Sequence, residues 1–374
     1  MKYLAILGVT RISDSYPNVK YKIDLLNHLN NLTTRNCLYS LNKISTFSTR
    51  SGLIPRLVLA AKMFWGHCYV LLCYMTKFEK VVYITYPGIF LCFFLSFIPK
   101  YFRPTIFLDS FISLYDAIVL DRKLFSQTHV MARIIYFIEK RSFNAAYKVI
   151  VDTEENSQYY SQLFSIPMDR FSVIPLSIPK LALNKKETGD HRLNCVFIGT
   201  FVPLQGIKII IDAAKLLSNN PDIVFTIVGD GQDSRYIEDA KSNGTCPNIV
   251  WHKGHFPTEF IEKILGQADV CLGIFGTTEK TQRVLPYKLY YYFSAGLPVI
   301  TGNSKYIKRI SDAVGYTPVV SSEVGDPGSL AAEIEYLANN RETLNDIALS
   351  GKKYYEENLG EIIIRDKMTR LLSL

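Results

Sequence analysis

Apolar residues recur along this chain in two alternating rhythms. Short β-branched runs read as strands, and between them lie longer segments whose apolar positions fall three or four apart, as on one face of a helix. In the first half this predicts strands at 3–9, 81–85, 105–108, 148–152 and 171–174, and helices at 20–31, 55–74, 129–146 and 154–164. A polar stretch over 181–191 (LALNKKETGDH) reads as a linker. The rhythm then restarts: CVFIGTF, IVFTIVGDG, NIVWHKG, ADVCLGIFG and PVITG read as strands, IKIIIDAAKLLSNN and PYKLYYYFSAG as helices, and the remainder as helical. Such alternation argues for parallel sheets with helical crossovers, and ligands of such sheets bind beyond the carboxyl ends of the strands. The expected organisation is two Rossmann-like α/β domains, at 1–183 and 190–354, with a last helix at about 355–374 packing back on the first.

Charge divides the chain in the same place. Residues 1–180 hold 21 Lys+Arg against 11 Asp+Glu, and residues 181–374 hold 21 against 23. A basic first half suggests an anionic partner there. No nucleic-acid motif accompanies the charge, so nucleic acid is not expected. The segment 81–99, VVYITYPGIFLCFFLSFIP, is free of charge and long enough to span a bilayer, but Pro87-Gly88 divides it into a strand and an apolar piece too short to cross. Around it stand Arg50, Arg56, Lys62, Lys77, Lys80, Lys100 and Arg103, mixed with Phe64, Trp65, Tyr69 and Tyr74. That mixture suits the surface of an anionic membrane, or equally a solvated basic face over an aromatic core. The seven cysteines are odd in number, scattered and without a CxxC, as expected of reduced cytosolic thiols. The N-terminus lacks a signal-peptide cleavage site and reads as the first strand.

Chemistry concentrates at 268–304, ADVCLGIFGTTEKTQRVLPYKLYYYFSAGLPVITGNS. A strand ends in a glycine-containing loop that carries Lys280 and Arg283, and a helix then opens at Pro286, bringing Lys288. Free amides at the helix start, the helix dipole and three cations would face one anion, which is a phosphate or diphosphate site. His252 and His255 in WHKGH fit a strand and turn better than metal ligands, and no metal is expected.

FIGTFVPLQGIKIIIDAA, followed by IVFTIVGDGQ, ADVCLGIFG and Pro-x-Lys…Ala-Gly-x-Pro-Val-Ile, resembles the donor-binding domain of GT-B glycosyltransferases, family 4 (glycosyltransferases group 1), over about 193–305. The first half fits more loosely, through LDSFISLYDAIVLDRK and AAYKVIVDTEENSQYYSQLF. The resemblance implies two Rossmann-like α/β domains facing each other across a cleft, with a nucleotide-sugar donor on the C-terminal domain and the acceptor on the N-terminal one. It also implies transfer of the sugar, usually with retention of configuration, with no metal and no further cofactor. By that resemblance Gly199, Thr200 and Gly206 join the three cations around the donor diphosphate, and Gly229, Gly254, Phe256, Tyr291 and Glu279 border the nucleoside.

Two departures stand out. The family's arginine and lysine near the first glycine-rich turn fall on Thr200 and Gln205, so Lys280, Arg283 and Lys288 are the candidates to neutralise the diphosphate. The paired glutamates, E-x7-E, fall on Arg283 and Tyr291, and a tyrosine cannot accept two hydrogen bonds from a ribose diol as a carboxylate does. Either the nucleotide is held differently, with Glu279 serving the ribose, or the donor is unusual, or the protein is an inactive descendant that binds a nucleotide sugar or a partner enzyme. In the first half Asp109, at the end of TIFLD, is the catalytic candidate alongside Arg283, with a turn or helix-capping aspartate as the plain alternative. Gly8, Thr10, Arg11, Asp116 and Arg122 are expected on the acceptor side, and Asp121 is a weaker candidate. The whole reads as a cytoplasmic glycosyltransferase, peripheral to the inner face of the membrane, that builds a polysaccharide such as lipopolysaccharide or capsule on a lipid-linked acceptor.

Overall fold

The computed structural model describes residues 2–12, 17–41, 53–178, 183 and 191–373. The expected linker therefore lies outside the described residues except for 183 and 191, as do Ser13 to Tyr16 of the first loop and Arg50. The chain divides into two compact units: Met1–Pro179 with Ile364–Leu374, and Lys180–Ile363.

The first unit holds β1 (Lys2–Thr10), α1 (Pro17–Asn27), β2 (Leu32–Ser40), α2 (Leu53–Met75), β3 (Val81–Ile84), α3 (Ile89–Leu95) and β4 (Thr105–Asp109). After a π-helical turn at Asp116–Asp121 come α4 (Val130–Ala145), β5 (Lys148–Val151), α5 (Glu154–Phe164) and β6 (Phe171–Val173). The strands pair in parallel in the order β2-β1-β3-β4-β5-β6. Each central strand is apolar on both sides, as a sheet covered on both faces requires. Ala5, Leu7, Ile84, Ile106 and Leu108 point to a core shared with α2, α3, α4 and α5. Leu4, Ile6, Tyr83 and Phe107 point the other way, to α1.

The second unit repeats the plan with β7 (Leu193–Gly199), α6 (Ile207–Leu216), β8 (Ile223–Gly229), α7 (Arg235–Ser242), β9 (Ile249–Lys253), α8 (Thr258–Leu265) and β10 (Val270–Leu272). Next follow α9 (Tyr287–Ser294), β11 (Val299–Gly302), α10 (Lys305–Val314), β12 (Val320–Ser322), α11 (Pro327–Asn339) and α12 (Thr343–Asn358). Its parallel sheet has the order β12-β11-β10-β7-β8-β9. The last helix, α13 (Glu361–Leu372), places Ile364, Met368 and Leu372 in the α1-side core of the first unit. All seven cysteines are free, with the Cys73 thiol donating to the Cys37 sulfur at 2.8 Å.

Two strands escape the sequence pattern. β2 (LTTRNCLYS) and β12 (VSS) are edge strands; only Cys37 of β2 and Ser322 of β12 are buried, so neither shows an apolar run. Pro286 is a second difference. It precedes the first turn of α9 with extended backbone instead of occupying its first helical position.

One buried carboxylate organises the loop after β4. Glu139, on α4, accepts from the Ser113 hydroxyl (2.9 Å) and from the amides of Leu114 (2.8 Å) and Tyr115 (2.9 Å). Burial nevertheless pushes its carboxyl up to about 7, outweighing the three donors. The folded state thus holds the proton more tightly than the unfolded chain, where a glutamate titrates near 4.5. Its contribution is fully present below 4.5 and is lost as pH rises towards 7, on the order of 3 kcal/mol in all at about 1.4 kcal/mol per pKa unit. Urea denaturation of Glu139→Gln across that window is expected to give a flatter stability profile than wild type; parallel profiles would show that Glu139 does not titrate there.

Candidate functional site

In the second unit the neighbouring strands β7 and β8 both end on glycine. Gly199 closes β7 and pairs in register with Gly229 at the end of β8, which in turn pairs with Lys253 of β9. The loop after β7 carries Thr200, exposed, and reaches Gly206. Gly206 has φ +67°, and a β-carbon there would stand 2.4 Å from the amide nitrogen of Gly276, so only glycine fits. This contact ties the β7 loop to the loop after β10. Phe275 N–H donates to the Gln205 carbonyl, Gly276 N–H to that of Leu204, and the Thr281 hydroxyl approaches Leu204 O at 3.5 Å.

Lys288 lies beneath that junction. Its Nζ is 3.3 Å from the Gly273 carbonyl and 3.5 Å from Gln205 Oε1, and stands 3.5 Å from the centre of the Phe197 ring. These are dipoles and a ring face, which stabilise an ammonium without neutralising it. Burial holds the Lys288 pKa well below the ordinary lysine value. Gln205 is fixed in turn, since its amide packs so closely over Gly199 that a β-carbon there would meet Oε1 at 1.9 Å. The residue standing where the family has a lysine therefore presents its oxygen to a lysine from α9.

The other expected donor-side residues lie on the segments that follow β9 and β10 and on α9. Lys280 and Arg283 are both buried, in and just after the short 3-10 turn Glu279–Gln282, whereas Glu279 itself is exposed. Tyr291 is half-buried one turn after Lys288, its ring 5.2 Å from that of Tyr287. Gly254 has φ +124° with open space beside it. Phe256 stacks on Phe260 at 4.3 Å, and His252 meets Phe260 edge-on at 5.3 Å. The histidine thus belongs to an aromatic cluster, and no group of three metal-ligating side chains occurs among the described residues. Neighbouring Trp251 donates from Nε1 to the Gly229 carbonyl (3.0 Å).

In the first unit Gly8 lies against Thr85, and the Thr10 hydroxyl donates to the Tyr86 carbonyl (2.8 Å), so both are at the carboxyl end of β1. Arg11 is half-buried just beyond. Asp109, at the end of β4, is 1% exposed and receives Lys22 Nζ (3.0 Å) and the Tyr83 hydroxyl (2.8 Å) on Oδ2. Its Oδ1 has no hydrogen-bond partner among the described residues. Asp109 is thus neither a helix cap nor a simple turn residue, but half of a buried ion pair. The sequence carries a signal for its partner, because Lys22 interrupts the apolar stripe Val19, Ile23, Leu26 of α1. Asp116 keeps different company: it is buried beside the Tyr160 hydroxyl (3.4 Å) in the loop organised by Glu139. Asp121 is buried at the end of the π-helical turn, and Arg122 is exposed beyond it.

Two six-stranded parallel sheets, each flanked by helices, match the GT-B fold. Residues 192–340 match the family model described as Glycosyl transferases group 1. No curated protein matches the chain in sequence. Solved structures similar in fold include HepE from Anabaena in complex with UDP, at 13% identity and TM-score 0.69 with both chains covered in full. Another is sucrose-phosphate synthase from Thermosynechococcus elongatus, at 12% identity and TM-score 0.71, covering 99% of this chain and 98% of that one. A third is WaaG, described as a glycosyltransferase involved in lipopolysaccharide biosynthesis, at 13% identity and TM-score 0.64, with 99% of each chain covered. Residues 192–340 thus match a group 1 glycosyltransferase domain, and the chain as a whole has the GT-B fold.

Proposed function

We propose that this protein transfers a sugar from a nucleotide-diphosphate donor to a lipid-linked glycan precursor, with retention of configuration and without a metal or further cofactor. The observation that carries the donor half is Lys288, a half-buried lysine whose ammonium sits between the Gln205 and Gly273 oxygens and the face of the Phe197 ring. In the transfer the anomeric C–O bond breaks and its electron pair leaves on the diphosphate. The acceptor hydroxyl bonds to the anomeric carbon and gives up its proton. Charge develops on the leaving oxygen, and a preorganised cation there lowers the barrier. Lys280 and Arg283, on the same loop, are read as completing the neutralisation, and Gly199, Thr200 and Gly206 as giving the phosphates close access to backbone. Gly229, Gly254, Phe256, Tyr291 and Glu279 are read as the nucleoside side. In the first unit Gly8, Thr10, Arg11, Asp116 and Arg122 are the acceptor-side residues of the proposal, with Asp109 as its catalytic carboxylate.

Uridine diphosphate is the first nucleotide to try, because it is the ligand in the HepE complex. The lipid-linked acceptor, the cell-surface glycan and a peripheral position on the inner membrane face are supported by the basic, aromatic first unit. A thermal-shift panel of nucleoside diphosphates and sugar nucleotides tests the donor, since a ligand that binds only the native state raises its melting temperature. A flat panel favours an inactive protein. Tyr291→Glu is expected not to raise transfer with the donor so identified. A gain of about tenfold, worth 1.4 kcal/mol, would mean that the ribose is held as in the family's glutamate-bearing members.

A further inference from the structure

One side of the first unit's sheet is covered by α2, α3 and α4, and the outer surface of that layer is apolar. On α2, Val58, Trp65, Tyr69 and Leu72 recur at helical spacing and are each about half exposed or more, and Phe64 and Met75 flank them. On α3 and just beyond it Phe94, Phe97 and Phe102 are exposed; on α4, Val130, Ile134 and Phe137 form a second stripe. The three helices are continuous with one another. His67 of α2 meets Phe90 and Phe94 of α3 edge-on at 5.9 and 6.4 Å, and Phe93 meets Phe137 of α4 at 6.1 Å. Two residues of the sequence-based patch turn inward instead: Tyr74 is fully buried, and the Arg103 guanidinium is spent on the carbonyls of Ser96 and Ile98.

Charge says what covers this surface. Between residues 53 and 141 the sequence has eleven Lys+Arg and five Asp+Glu. None of the five carboxylates is free at the surface: Glu79 is held by both arms of Arg35, and Asp109, Asp116, Asp121 and Glu139 are buried. Lys62, Lys77, Lys80, Lys100, Arg122 and Arg133 are exposed. An aromatic, apolar face rimmed by cations and without exposed anions matches the headgroup boundary of an anionic bilayer.

We propose that the α2–α3–α4 face is the membrane-docking surface, with its aromatic side chains inserted at headgroup level. The stripe 58–75 is also long and apolar enough to cross a bilayer. The other side of α2 is nevertheless committed to the protein: Val70 and Tyr74 are fully buried, and the backbone at Gly66 lies against Tyr39 and Val9. α2 therefore lies along the surface and does not span it. The proposal deepens the reading of a lipid-linked acceptor and names the surface that would bring the acceptor-side unit to it, but the docking itself needs neither donor nor acceptor.

The test is flotation of the full chain with vesicles of phosphatidylglycerol and phosphatidylcholine, compared with phosphatidylcholine alone, at low and high salt. Trp65→Glu on α2 and Phe137→Glu on α4 are each expected to cut partitioning by about tenfold or more, with thermal stability unchanged. Trp65 fluorescence, read in a Trp251→Phe background, should shift to the blue and be quenched by brominated lipid. The proposal is overturned by equal binding to neutral vesicles, by loss on α2 but not on α4, by resistance to carbonate extraction (a spanning α2), or by self-association that Phe137→Glu abolishes without any vesicle binding. Donor binding in the thermal-shift panel is read separately, so failure here leaves the glycosyltransferase reading standing.

Discussion

Lys288→Met is expected to lower kcat/KM for sugar transfer by about 10²- to 10³-fold, the usual loss when one preorganised donor to a developing anion is removed. The same substitution is expected to raise the melting temperature of the ligand-free protein. Both follow from one fact: the ammonium is packed against Phe197 and two oxygen dipoles, none of which carries a full negative charge. A desolvated cation lacking a counter-charge is a cost to the fold, and methionine of similar length removes that cost. The pH dependence has a definite sign. The Lys288 pKa is depressed in the folded protein, so the folded state holds fewer protons than the unfolded one between that value and 10.5, and wild-type stability rises with pH across this window. The advantage of the methionine variant should shrink over the same range. A diphosphate restores the charged form, so nucleotide binding should take up a proton and weaken as pH climbs above the empty-site value. Calorimetry of nucleoside diphosphate binding in buffers of different ionisation enthalpy measures that uptake. Unaltered nucleotide affinity in Lys288→Met would remove the diphosphate assignment, whatever the stability did.

The lysine itself was legible in the sequence as a candidate, because a basic residue in a loop-to-helix segment after a strand is the pattern of an anion site. What the sequence could not give is its environment. Gln205, Phe197 and Gly273 converge on Lys288 from two loops and a strand far away in the chain, and no local spacing encodes that meeting. The same contrast runs through the fold. Central strands such as TIFLD and IVFTIVG announce themselves because both faces are buried, while β2 and β12 stay silent because an edge strand with one buried residue has no apolar run. The surface patch was half legible. Composition marked the basic, aromatic segment, but only packing distinguishes Tyr74, bonded to the Glu79 carbonyl in the core, from Tyr69 on the outside. Glu139 was missed altogether, since a lone glutamate on a helix ordinarily reads as solvated.

Asp109→Ala is expected to destabilise the protein by about 3–5 kcal/mol, because it leaves the Lys22 ammonium buried without its counter-charge. Loss of activity in that variant would therefore say nothing about catalysis. The pair Lys22→Met, Asp109→Leu separates the two roles. Removing both charges and replacing them with apolar groups of similar size is often neutral for a buried pair, so its urea midpoint should return close to wild type. Transfer should not return with it. Asp109 Oδ2 is occupied by Lys22 and the Tyr83 hydroxyl, but Oδ1 has no partner among the described residues and stands at the carboxyl end of β4, where parallel sheets bind their ligands. A carboxylate fixed on one oxygen and uncommitted on the other can orient an acceptor hydroxyl or accept its proton once an acceptor reaches it. If the stable double variant transferred sugar at the wild-type rate, Asp109 would be a structural residue only, and the catalytic carboxylate would have to be sought at Asp116. If it folded well and failed to transfer while still binding nucleoside diphosphate, the defect would lie in chemistry or acceptor binding. The acceptor KM of a weakly active Asp109→Asn variant then decides between those two: a raised KM at unchanged kcat means positioning, and a fall in kcat at unchanged KM means participation in proton transfer.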